Sequence, residues 1–260
     1  MKQKPFAPIP WYKKGIPGIK GLLKYNLEPI DVAVVDSGID ATHPALADRV
    51  VSAVRVEQKR DAYHIAGVPN HPTNQDIRRH GTAVAGIIAQ VAPNARIHDI
   101  RIFDQDNAGS GFTNVAGFRH AVEQGYSIVN MAIVCGADQA IALQKLCEEA
   151  YKKNILVVAA RRNVFGPDFG FPAQFSSCIS VGNGQFSSPY KYRYTENPPV
   201  EFIALGQGLK TATPKEGYEC VDGTSFAAAT MSGLCAIIRG AYPDLAPFEV
   251  KTFLKMYASR

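Results

Sequence analysis

The stretch Asp222-Gly223-Thr224-Ser225-Phe226-Ala227-Ala228 decides how this chain is read. A charged residue leads into a Gly-Thr turn and a serine. Small and apolar residues follow, including Ala229, Met231, Leu234, Ile237 and Ile238. The pattern predicts a loop feeding a tightly packed, buried helix with Ser225 in its first turn. A serine there has two uses. It caps the helix, as Ser and Thr routinely do. Or it is a nucleophile, because the free N–H groups and positive dipole end of a helix start stabilise an oxyanion formed beside it.

Outward from that helix the chain alternates between two periods. Asp31 to Asp36 is a short apolar run ending in a carboxylate, the pattern of a buried parallel strand. Asp36-Ser37-Gly38 is a turn. Residues 41–79 read as polar and loop-rich, with a strand signal at Val50–Val56. His80-Gly81-Thr82 opens a helix through Val84, Ile87 and Ile88 that ends before Pro93. Ile97, Ile100 and Ile102 mark a strand, and Val115, Phe118, Ala121 and Val122 a helix face. Ile128–Val134 is a strand, Asp138–Lys153 a helix with an acidic start and Lys-rich end, and Ile155–Ala160 a central strand. Ile179–Val181 and Phe202–Leu205 are further strands. Helices over 224–239 and 247–257 close the chain, the second with Pro247 at its first position. Alternating strands and helices predict an α/β fold, a mostly parallel sheet covered on both faces. With no internal repeat or linker, residues 1–260 read as one domain, with residues 1–30, holding five prolines, as a surface wrap.

Composition narrows the function. A chain of 260 residues with 46% hydrophobic content builds a sizeable core. Its net charge of +5 is scattered, with no long basic run to favour nucleic acid. No apolar stretch approaches a membrane span. Met1 to Lys24 lacks the apolar centre of a secretory signal. Five cysteines without close pairs read as reduced thiols. The expectation is a cytoplasmic protein without nucleic-acid or membrane partners, or a secreted one if the chain is a processed mature form.

The polar residues fall where such sheets build sites, at the carboxyl ends of strands. Asp36 ends a strand, His80 begins a helix, Asn163 lies just past the strand Ile155–Ala160, and Ser225 begins a helix. A serine hydroxyl needs a base to attack at neutral pH. Histidine takes that proton and returns it to the leaving group. A buried carboxylate fixes the imidazole tautomer. A side-chain amide donates to the developing oxyanion. Taken singly, Asp36 equally shapes a turn, His80 is a cap or a solvated residue, and Asn163 is a loop residue.

Taken together, their contexts resemble the subtilisin-like serine proteases. Val34-Val35-Asp36-Ser37-Gly38-Ile39-Asp40 with His43-Pro44 is similar to that family's aspartate motif. His80-Gly81-Thr82-Ala83-Val84-Ala85-Gly86 is similar to its histidine motif, and Gly223-Thr224-Ser225-Phe226-Ala227 to its serine motif. The order Asp, His, Ser is also the family's. The resemblance runs from about Ile30 to the C-terminal helix. It implies a three-layer fold and a serine endopeptidase acting on a peptide or protein. Ser225 would attack, His80 would act as base and then acid, and Asp36 would orient His80. Asn163 and the Ser225 N–H would hold the oxyanion. Gly109, Ser110 and Gly111 on one side, and Ala132, Ile133 and Val134 on the other, would pair with substrate as extended edges.

The departures carry expectations too. Ala132-Ile133-Val134-Cys135 stands where the family has Ser-Leu-Gly-Gly, and Arg161-Arg162-Asn163 where it has Ala-Gly-Asn. Both put bulk on the walls of the first specificity pocket, which predicts a narrowed pocket poor on large aromatic side chains. Arg162 would favour an acidic residue if it faced the substrate. Ala83 replaces a second histidine, Arg79 a glycine, and Ala229 a proline. Ala45 stands where many members carry a calcium-binding aspartate, and Gly86–Val91 has no room for their inserted loop. No calcium, other metal or cofactor is therefore expected. His64, His71 and Asp76 match no metal-ligand spacing. Lys4 to Trp11 offers a segment for self-inhibition. Two rivals remain: a subtilisin-like scaffold that binds a partner without turnover, and an esterase of the α/β-hydrolase type. The esterase is disfavoured by the missing Gly-x-Ser-x-Gly elbow and the triad order.

Overall fold

The structure, a computed structural model, describes residues 18–59, 62–103, 111–163, 169–196 and 200–259. In chain order it contains α1 (Ile19–Leu22), β1 (Ile30–Asp36), β2 (Val50–Lys59), β3 (Ala62–Gly67), α2 (His80–Val91), β4 (Ala95–Arg101) and α3 (Gly111–Gln124). Next come β5 (Ile128–Met131), α4 (Ala140–Lys152), β6 (Leu156–Ala160), β7 (Ile179–Gly184), β8 (Arg193–Tyr194) and β9 (Phe202–Leu205). The hairpin β10 (Leu209–Thr213) and β11 (Gly217–Val221), then α5 (Thr224–Ala241) and α6 (Pro247–Tyr257), complete it.

Nine strands form one sheet in the order β3-β2-β4-β1-β5-β6-β7-β9-β8. Its pairs are parallel except at the two ends, where β3 and β8 run antiparallel to their neighbours. The period-2 pattern of β1 divides the core. Val32 and Val34 pack into the layer that holds α2, α5 and α6. Ala33 and Val35 pack into the layer that holds α3 and α4. Both faces of the sheet are thus dry, which is why its central strands read as unbroken apolar runs.

Helix α5 lies at the centre of the first layer. Every one of its residues is buried except Ser225. Its Ala-rich start lets the helix lie close to the sheet, and each buried Leu, Ile or Met further along adds about 1.5–3 kcal/mol. Arg239 near its C-terminus donates to the carbonyls of Pro243 and Asn154, a cation at the negative end of the dipole.

Several expectations on this scaffold need correcting. The strand expected over Ile128–Val134 ends at Met131, because Cys135 turns away to pair with Phe171. Gly111 does not lie on an extended edge. It is the first residue of α3, and a side chain there would strike Gln139. Residues 41–79 are less irregular than expected, since β2 runs ten residues and β3 folds back on it. The hairpin β10–β11 went unforeseen. It is pinned at a distance: His43 Nε2 donates to the Gly217 carbonyl (3.0 Å), Lys215 N to Asp40 Oδ2 (2.9 Å) and Thr211 Oγ1 to the Ala83 carbonyl (2.9 Å).

Candidate active site

Asp36 is the last residue of β1 and is wholly buried. Its Oδ1 accepts from the Ser37 N–H at 2.6 Å. His80 is the first residue of α2, and its Nδ1 lies 2.8 and 2.9 Å from the two Asp36 oxygens. With Nδ1–H given to Asp36, Nε2 is left as the basic nitrogen. Close approach of α2 to the β1 turn needs Gly81, where any side chain would collide with the Gly38 carbonyl. Burial pushes the His80 pKa down, but the Asp36 charge, its hydrogen bond and the more distant Asp76 outweigh it. The net shift is upward.

Ser225 and Asn163 stand on adjoining elements. Asn163 follows β6 by three residues, and its Oδ1 accepts from the Thr224 N–H at 3.0 Å. The Thr224 hydroxyl donates to the Arg161 carbonyl at 2.7 Å. The loop after β6 is thus tied to the first turn of α5, with the Asn163 Nδ2 amino group left to donate elsewhere. Ser225 Oγ donates to the Ala132 carbonyl at 3.0 Å rather than to His80. The ring of the next residue, Phe226, packs 5.3 Å from the His80 ring. Unliganded sites often hold such bonds loosely and tighten them on substrate.

The other expected residues divide. Gly109 and Ser110 lie outside the described residues, as does Lys4 to Trp11. Gly111 is helical, as noted. Ala132 meets Ser225, whereas the Ile133 carbonyl is taken by Asn114 Nδ2 (3.1 Å). Val134 packs against Gly170: its Cγ1 occupies the place a side chain there would take. Arg162 reaches back towards Cys135. Its N–H donates to the Phe169 carbonyl (2.8 Å), and its Nη2 lies 3.4 Å from the Cys135 carbonyl. Cys135 and Phe171 exchange two backbone hydrogen bonds of 2.9 and 3.1 Å. Three segments, around 135, 162 and 169–171, are thus stitched together by hydrogen bonds.

Two carboxylates to which the sequence reading gave no part in catalysis, Asp76 and Asp99, also reach this site. Asp76 accepts from Ser37 Oγ (2.8 Å) and from the Thr82 N–H (3.0 Å). Their signals were local, a hydroxyl directly after Asp36 and a carboxylate four residues before His80. Asp99, strand neighbour of Val34, is buried beneath the turn and accepts from the Ile39 N–H at 3.0 Å. Burial drives its carboxyl well above the usual range. Helix α2 runs unbroken from His80 to Val91, and Ala45 offers no side-chain oxygen to a hard cation. His71 bonds the Val50 carbonyl, apart from Asp76, and no metal-binding cluster occurs among the described residues.

Fold and site together define a serine peptidase built on a parallel sheet covered on both faces. The sequence pattern of the subtilase family (Peptidase_S8) matches residues 29–260, and the chain belongs to that family. It is 28% identical to Subtilisin DY of Bacillus licheniformis, covering 94% of this chain and 90% of that one. It is 27% identical to Alkaline elastase YaB of a Bacillus strain, covering 88% of this chain but only 59% of that one. Among solved structures, Sphericase superposes with a TM-score of 0.74 at 22% identity, covering 92% of this chain and 88% of its own. Among the described residues, no helix is long and apolar enough to cross a membrane.

Proposed function

We propose that residues 1–260 form one peptidase domain that hydrolyses peptide bonds through Asp36, His80 and Ser225. The observation that carries this is the double contact of His80 Nδ1 with the buried Asp36 carboxylate, 2.8 and 2.9 Å, beside the only unburied residue of α5. Substrate binding turns Ser225 Oγ from Ala132 to His80 Nε2. Nε2 takes the hydroxyl proton as Oγ attacks the scissile carbonyl, and Asp36 stabilises the imidazolium. Asn163 Nδ2 and the Ser225 N–H receive the oxyanion. His80 then hands its proton to the leaving amine, and water releases the acyl group by the same route.

The stitched pocket supports selectivity. With Val134 seated against Gly170 and Arg162 drawn back to Cys135, the residue before the cleaved bond must be small. Nucleic acid and membranes are no part of this reading. Self-inhibition by Lys4 to Trp11 is kept as an accessory proposal, tested by trimming residues 1–12. Five cysteines without close pairs favour a reducing cytoplasm. A secreted mature form would oxidise Cys147 and Cys178, whose sulfurs lie 3.4 Å apart, and its intact mass would rise on reduction. The second reading, a scaffold that binds peptide without turnover, is favoured by the Ser225–Ala132 hydrogen bond alone.

A peptide library incubated with the protein and with Ser225→Ala tests the proposal. Cleavage after Ala, Gly or Ser that disappears in Ser225→Ala is the expected result. Best cleavage after Phe or Tyr would overturn the closed pocket, and no cleavage at all would favour the scaffold.

A further inference from the structure

We propose that Asp76 is a positioning residue for the reaction, bracing Ser37 and the first turn of α2 so that Asp36 and His80 stay in contact. This rests on the triad reading above and adds to it a residue that touches no substrate.

The geometry is a bracket of three links. Asp76 Oδ1 accepts from Ser37 Oγ at 2.8 Å and from the Arg78 N–H at 3.0 Å. Its Oδ2 accepts from the Thr82 N–H at 3.0 Å. Ser37 Oγ, having donated to Asp76, accepts from the Gly81 N–H at 2.9 Å. The Ser37 N–H meanwhile donates to Asp36 Oδ1 at 2.6 Å. One carboxylate therefore joins the residue after Asp36 to the two residues after His80.

The helix start needs that support. Arg79, at the cap position of α2, makes no side-chain cap and is held at φ 62°, a left-handed conformation that costs an arginine about 1–2 kcal/mol. The orphan N–H groups of Gly81 and Thr82 are satisfied by Ser37 and Asp76 instead. A negative charge at a helix N-terminus is favourable in its own right.

Asp76 also acts on His80 by its charge. The charged groups that act on the imidazole are Asp36 from β1 and Asp76 from the loop before α2. Asp76 is among those that favour the protonated ring. Neutralising it lowers the pH at which His80 becomes a base.

The test compares wild type, Asp76→Asn and Ser37→Ala, each quantified by fluorophosphonate titration before kinetics on a peptide with Ala before the cleaved bond. Asp76→Asn should lose about tenfold in kcat per titrated site with KM within about twofold. Its acid limb should move to lower pH. Ser37→Ala should lose a similar factor in kcat, yet keep the wild-type midpoint because the Asp76 charge remains. Unchanged kcat per site and an unchanged midpoint in Asp76→Asn, even with a lower melting temperature, would make Asp76 a helix cap only and overturn the proposal. If Asp76→Asn does not fold, Ser37→Ala decides alone, and an unchanged kcat per site overturns it. Absence of any wild-type adduct would instead bring down the triad reading, and this inference with it.

Discussion

The floor of the cleft and the wall of its first pocket treat the family pattern in opposite ways. On the floor, Asp36, His80, Asn163 and Ser225, the residues proposed for catalysis, keep the residue types that the resemblance calls for. Asp36, His80 and Ser225 sit at the end of a largely buried strand or helix, and Asn163 lies three residues past the buried strand β6. On the wall, Val134, Cys135, Arg161 and Arg162 replace small residues, and backbone hydrogen bonds from 135 to 171 and from 162 to 169 stitch the rim together. The floor is held by the packing of the sheet, so changing it means disturbing the core. The wall lies past the strand ends, where new side chains alter which substrates enter without threatening the fold. On the proposed function, chemistry and specificity are carried by parts of different mechanical standing.

That contrast can be broken most forcefully at the floor. Ser225→Ala and His80→Ala should each lower kcat by about a millionfold, a magnitude taken from subtilisin itself. Steady-state assay of the purified variants, with circular dichroism to show the fold intact, checks this. Asn163→Ala should cost about a hundredfold to a thousandfold in kcat with little change in KM, again by analogy with subtilisin. A loss confined to KM would mean that Asn163 binds substrate rather than the oxyanion.

At the wall the expected effect is smaller and of opposite sign. Val134→Gly should raise kcat/KM about tenfold to a hundredfold for peptides with Phe before the cleaved bond, and leave Ala substrates nearly unchanged. A library profile that stays confined to small residues would place the block elsewhere. The smallest effect is on pH. His80 must be neutral to act as base, and its pKa is raised in the folded protein. The acid limb of kcat/KM should have its midpoint above the ordinary histidine value. The linked stability runs the other way. The folded state holds this proton more tightly, so the contribution of His80 is complete below the unfolded pKa and is lost as pH rises through the folded one. Urea melts from pH 5 to 9, compared with His80→Gln, would isolate that contribution.

The floor was also the legible part. Asp36 closes an apolar run, Ser225 opens one, and His80 and Asn163 sit at similar boundaries, but only the resemblance of their contexts to one family singled them out as proposed catalytic residues. What stayed hidden depends on partners far along the chain. Val134 is recognised as a plug only against Gly170, and Asp76 as a brace only through Ser37. The hairpin β10–β11 is polar and interrupted by Pro214, and it takes its place from His43 and Asp40. Gly111 read as an open edge because glycine suits a close approach. The approach is real, but its partner is Gln139 rather than a substrate.

On the proposed function, the bracketed floor activates Ser225 behind an altered wall. The most direct test is reaction of the full chain with a fluorophosphonate, read by intact mass beside Ser225→Ala. A single adduct on the wild type that is lost in Ser225→Ala is the predicted result. A folded wild type that takes no adduct, before and after removal of residues 1–12, would contradict the claim and leave a subtilisin-like scaffold.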